Sequence, residues 1–139
     1  MSMLAISAIK TPEDLHDETL RERALRGHVG RSCDFAALVN GQEAGLLSYE
    51  EWKEKNLEFI YEIYVLPRFR RQGIGKSLIE YGEKHALQLG CRLVQIKPHA
   101  LNQEPNTDQL VDWYRSAGYL RAEESSEIWE KHIGNLGAL

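Results

Sequence analysis

A mixed α/β or α+β fold, a sheet covered by helices, is predicted by three observations. Short β-branched and aromatic runs recur, longer segments space their apolar residues by three and four, and Gly, Pro or Asn-Gly separates them. Met3 to Ile9 reads as a first short strand. Thr11-Pro12-Glu13-Asp14 then opens a helix expected to run to about Arg26, because Thr caps, Pro suits the first helical position and acids favour the positive end of the dipole. Gly27 and Gly30 interrupt it. Asp34 to Val39, Asn40-Gly41 and Ala44 to Leu47 form a β-hairpin, with Asn-Gly supplying the positive φ angles of a tight turn. Glu50 to Asn56, polar and charged, reads as a loop. Leu57 to Val65 (LEFIYEIYV) is the clearest strand, and Pro67 ends it. A helix follows from Ile74 to Leu89, with Leu78, Ile79, Gly82, Ala86 and Leu89 on one face and Gly90 as its stop. Cys91 to Ile96 is a strand closed by Pro98. Lys97 to Asn106 is a loop, and Asn106 or Thr107 caps a helix that runs to Ala117 before Gly118. Tyr119 to Glu123 and Glu127 to Ile133 complete the order β-α-β-β-β-α-β-α-β-β, ahead of a frayed tail, GNLGAL.

The 139 residues suit one domain, 1–139, with a core that needs no staples. Seventeen basic against 21 acidic side chains leave a net charge of −4, which argues against nucleic acid as a partner, since that binding needs clustered Lys and Arg. No run approaches the length of a membrane span, and no basic segment precedes the short apolar start, so a cytoplasmic location is expected. Cys33 and Cys91 lack metal-site spacing and read as small core residues. His16, His28, His85, His99 and His132 are scattered, so no metal site is expected. Trp52 and Trp129 read as packing residues.

The acidic chain carries one basic cluster, Arg68, Arg70, Arg71 and Lys76, around a glycine loop between strand and helix. Free N–H groups at a helix start, with glycine allowing close approach, form an anion site. Gly75-Lys76-Ser77 invites an ATP-loop reading, but that loop needs glycine where Arg70 stands. A dinucleotide fingerprint from Gly73 needs glycine where Leu78 stands. The pattern that fits is Arg70-Arg71-Gln72-Gly73-Ile74-Gly75.

The segment YVLPRFRRQGIGKSLIEYGEKHA, followed by Trp113-Tyr114-Arg115-Ser116-Ala117-Gly118-Tyr119, resembles the GNAT acetyltransferase superfamily. The resemblance is strongest over residues 57–119. It implies a mixed, mostly antiparallel sheet of about six to seven strands flanked by helices. It also implies acetyl-coenzyme A as cosubstrate, held by Val65, Arg70, Arg71, Gln72, Gly73, Ile74, Gly75, Lys76 and Ser77. The pyrophosphate would rest on the N–H groups from Gln72 to Lys76, and the N–H of Val65 or its neighbour would bond the thioester carbonyl. Tyr114 would protonate the departing thiolate, although it also shares a helix face with Leu110 and Ala117, as a core aromatic would. Where relatives often have Asn seven residues before this tyrosine, the chain has Thr107, with Asn106 beside it and Asn102 further up. The region that usually lines the acceptor pocket is short here.

The attacking ammonium must lose a proton before it can act as a nucleophile. In an ideal strand Glu58, Ile60, Glu62 and Tyr64 share one face, and two carboxylates on a hydrophobic strand are candidate bases. The resemblance ranks Glu62 above Glu58 and also implies a bulge in this strand, so parity does not decide which carboxylate reaches the amine; a solvated or ion-paired face is the plainer reading of both. The expected reaction is direct acetyl transfer to a primary amine of a small molecule, without metal. A protein N-terminus or lysine as acceptor, or a non-catalytic coenzyme A-binding role, stands as the alternative. Dimerisation through the C-terminal strands is compatible with this pattern.

Overall fold

In the computed structural model, which describes residues 3–27, 32–98, 107–124 and 126–134, the described chain forms one seven-stranded sheet. Its strands are β1 (Leu4–Ile9), β2 (Ser32–Val39), β3 (Gln42–Trp52), β4 (Leu57–Val65), β5 (Leu93–Ile96), β6 (Leu120–Arg121) and β7 (Trp129–His132), ordered β1-β2-β3-β4-β5-β7-β6. Only β4 and β5 pair in parallel, joined by the helix α2 (Ile74–Gln88) as a parallel crossover requires. Helix α1 (Glu18–Gly27) links β1 to β2, and α3 (Thr107–Ser116) lies between β5 and β6. This is the predicted fold class and element order.

The central hairpin turns at Asn40 and Gly41, both with positive φ, as the Asn-Gly signal requires. Its strands are buried almost continuously because helices cover both faces. Helix α2 seats close to β3 through Gly82, where a Cβ would come within 3.1 Å of Leu47.

Two expectations are corrected by tertiary contacts. The single helix from Thr11 to Arg26 is split into a short 3-10 turn, Pro12–Asp14, and α1. Buried Leu15 is extended between them, the Glu43 carboxylate on β3 accepts the N–H groups of His16 and Asp17, and Asp17 caps α1 by accepting from Leu20 N–H. The expected loop Glu50 to Asn56 is strand as far as Trp52, because Glu50, Glu51 and Trp52 pair with Phe59, Glu58 and Leu57. The chain then turns through Lys53–Lys55 and a left-handed Asn56. The later strands are shorter than the apolar runs that predicted them. His28, His99, Asn102 and Asn106 lie outside the described residues, as does the side chain of Thr107.

One irregularity of β4 bears on the site. Ser48 pairs with Glu62 but Tyr49 with Ile60, so Tyr61 is the extra residue of a β-bulge in β4. Alternation restarts there, and the four residues expected on one face are divided. Glu58 points to α2, with Oε2 3.9 Å from where a Gly82 Cβ would stand, whereas Glu62 and Tyr64 face Arg23 of α1.

Candidate active site

Strands β4 and β5 pair only over Leu57–Ile60 and Leu93–Ile96; past Ile60 no further ladder joins them among the described residues. The C-terminal half of β4 therefore has an open edge. Leu66 N–H bonds to Ala44 C=O across β3, so by strand alternation the N–H and C=O of Val65 point the other way, toward that edge. The Val65 carbonyl accepts a 2.9 Å hydrogen bond from Arg70 Nε.

Beside this edge lies a cavity of about 450 Å³. One wall is β4 at Ile63, Tyr64 and Val65, another the loop and first turn of α2 from Phe69 to Lys76, and the third α3 at Leu110, Trp113 and Tyr114. Arg71 and Gly73 both take left-handed φ angles and turn the loop sharply into α2. The first hydrogen bond of α2 runs from Ser77 N–H to Gly73 C=O, and the N–H groups from Gln72 to Lys76 precede it. That bond takes the Ser77 amide out of any cradle. Gly75 is needed for space, since a Cβ there would stand 3.2 Å from the Trp113 ring and 3.8 Å from Val65. The glycine loop, the β4 edge and α3 thus meet at one place, where helix-start amides, the cations Arg71 and Lys76 and the apolar side chains of Ile63, Leu110 and Trp113 lie together.

Tyr114 is 2% exposed, packs edge-on against Trp113 and Tyr119, and no hydrogen bond is found for its hydroxyl among the described residues. Burial, reinforced by the Glu62 charge, pushes its phenol well above the usual range, so it stays protonated. Glu62 does not line the cavity; it is paired with Arg23, and its charge reaches the Tyr114 phenol. Glu58 is elsewhere: wholly buried beneath α2, its carboxyl oxygens have no hydrogen-bond partner among the described residues. Tyr49 faces it, but that hydroxyl is engaged with His85 Nδ1. Burial above all, aided by the Glu51 and Glu83 charges and opposed by the Tyr49 hydroxyl, pushes the Glu58 carboxyl up to about 8.

Val65, Arg70, Arg71, Gly73, Ile74, Gly75, Lys76 and Tyr114 are brought together around the cavity, with Gln72 in the same exposed turn. Glu58, Glu62 and Ser77 do not line the cavity. Sequence reasoning assigned no role to Trp113, which lines the cavity, or to Arg23, which pairs with Glu62. The signal for Arg23 was legible: with Leu20, Ala24 and Gly27 it falls on the buried stripe of α1, where an arginine needs a partner.

Residues 2–119 match the acetyltransferase (GNAT) family, and the chain belongs to it. Members of that family use acetyl-coenzyme A. A thialysine N-epsilon-acetyltransferase of Bos taurus is 32% identical over 71 residues, 51% of this chain and 38% of that protein's length. The ribosomal-protein-S18-alanine N-acetyltransferase of Escherichia coli superposes with a TM-score of 0.72 at 19% identity over 95% of each chain. The PaiA N-acetyltransferase of Thermoplasma acidophilum, solved in complex with coenzyme A, gives a TM-score of 0.65 at 16% identity over 93% of this chain and 99% of that one. At such identities these two structures establish a shared fold. Among the described residues no cluster of His, Cys, Asp or Glu could hold a metal ion, and no helix is long and apolar enough to cross a membrane.

Proposed function

We propose that the protein is an acetyl-coenzyme A-dependent N-acetyltransferase acting directly on a primary amine of a small molecule. The observation that carries this reading is the convergence on one cavity of the β4 edge, the glycine-loop amides and a protonated phenol without a hydrogen-bond partner among the described residues. The cosubstrate supplies an activated thioester. The N–H groups from Gln72 to Lys76, at the positive end of α2, suit its pyrophosphate, with Arg71 and Lys76 adding charge. The Val65 N–H is a preorganised donor for negative charge developing on a carbonyl oxygen at the strand edge.

Glu62 accepts the proton that the ammonium must lose, directly or through water, and Tyr114 returns one to the leaving sulfur. Direct transfer is supported because neither Cys33 nor Cys91 lines the cavity, and burial pushes both thiols up, away from the nucleophilic thiolate. The partial match to an enzyme named for thialysine supports a small-molecule amine over a peptide.

The test is thiol release from acetyl-coenzyme A with a panel of small amines and peptides, run alongside Tyr114→Phe. Turnover of small amines is expected, with kcat reduced on the order of 10²-fold in the variant. Turnover of peptides alone would overturn the acceptor assignment, and binding of acetyl-coenzyme A without transfer to any amine would favour a non-catalytic role.

A further inference from the structure

We infer that Arg23 is a positioning residue for acetyl transfer, an arginine of α1 that aims the Glu62 carboxylate at the acceptor; this rests on Glu62 being the base. Arg23 is 3% exposed. It lies with Leu20, Ala24 and Gly27 on the buried stripe of α1, at spacings of three and four that normally carry apolar residues. Its Nη1 pairs with Glu62 Oε2, and its guanidinium carbon sits 3.6 Å above the centre of the Tyr64 ring. One helical turn on, Gly27 lets the Tyr61 ring pack against the helix, and a Cβ there would stand 2.4 Å from the ring.

Helix α1 therefore grips Tyr61, Glu62 and Tyr64 together, and those residues run from the bulge to the wall of the cavity. The bulge and the arginine act as a pair. The first turns Glu62 out of the α2 face, and the second holds it where it has been turned. A buried ion pair adds little net stability over an apolar pair of equal volume, so its contribution here is direction and charge. A planar guanidinium stacked on an aromatic ring holds the paired carboxylate in one rotamer.

Other groups face Glu62. The phenol of Tyr114 approaches from α3, Ser48 and Asp34 occupy the same cross-strand row on β3 and β2, and Arg70 stands on the Tyr64 ring from the loop side.

The experiment compares Arg23→Gln, Arg23→Lys and Glu62→Gln in the full chain, measuring kcat, the KM for acetyl-coenzyme A and kcat against pH. For Arg23→Gln we expect kcat to fall about tenfold or more while the KM for acetyl-coenzyme A stays within about threefold. The acidic limb of the pH profile should move to higher pH, and Arg23→Lys should recover much of both. If Glu62→Gln is inactive but both Arg23 variants keep the parental rate and limb, the proposal alone is wrong. If Glu62→Gln keeps its rate, the assignment of Glu62 as base fails and takes the proposal with it. Should Arg23→Gln not fold, as a missing thermal response to acetyl-coenzyme A would reveal, the lysine variant decides. A folded Arg23→Lys with a large loss of kcat and an unmoved acidic limb would overturn the positioning role.

Discussion

At the scale of single residues, the two glutamates of β4 illustrate how environment assigns chemistry. They stand four residues apart on one strand, yet Glu62 is charge-paired with Arg23 and Glu58 is sealed under α2. The sequence presented both as candidate bases and only the resemblance ranked Glu62 first; no signal in the strand itself separated them, because their fates depend on where the bulge falls and on what each helix brings. Glu58 has a stability consequence. Its carboxyl is raised from 4.5 to about 8, so between those values the folded state holds a proton that the unfolded state has released. Below 4.5 both states are protonated and nothing is lost; as pH rises toward 8 the fold is progressively destabilised, by at most about 5 kcal/mol. The groups that set this are Tyr49, Glu51 and Glu83, with His85 holding the Tyr49 hydroxyl and Cys33 and Cys91 also within reach of the charge. Urea midpoints taken from pH 5 to 9 should decline in the parent and stay flatter in Glu58→Gln, leaving the variant more stable at pH 9. A parent profile that rises over this range would contradict the burial of an unpaired carboxyl.

At the scale of elements, α1 was only half legible. Pro12 and the acidic first turn correctly marked a helical start, but the contact of Glu43 with the backbone of His16 and Asp17 divides the segment. No pattern within residues 11–26 encodes a carboxylate arriving from β3. Gly27, read from sequence as a stop, is also a packing position. Replacing it with Ala at an ordinary helical site would gain up to about 1 kcal/mol in propensity. Here the new Cβ would stand 2.4 Å from Tyr61 Cδ1 and 2.9 Å from its Cγ, close to the root of the ring, so the ring must shift. Gly27→Ala should therefore lower stability by about 1–3 kcal/mol in urea unfolding, since overpacking outweighs propensity. An unchanged or raised midpoint would show that α1 is free to shift.

At the scale of the whole molecule, net charge is a poor guide and its distribution a good one. The chain is acidic at −4, yet Arg70, Arg71 and Lys76 stand around the α2 N-terminus, on the wall of the cavity of about 450 Å³. Acetyl-coenzyme A at about 100 times its dissociation constant should stabilise the fold by about 2.7 kcal/mol, a rise in Tm of about 5–10 °C. ATP and NAD should give none, because the loop lacks the glycines their motifs need; a response to them in place of acetyl-coenzyme A would overturn the cofactor assignment. The amino-acid sequence by itself determined the element order, the Asn-Gly hairpin and the glycine loop, because turn chemistry and apolar periodicity are local and survive without partners. Only the tertiary structure decided that β4 bulges at Tyr61, that its edge opens past Ile60, and that Arg23 meets Glu62. Those features depend on register between strands and on a helix docking across them, and side chains distant in the chain become neighbours only after the sheet has formed.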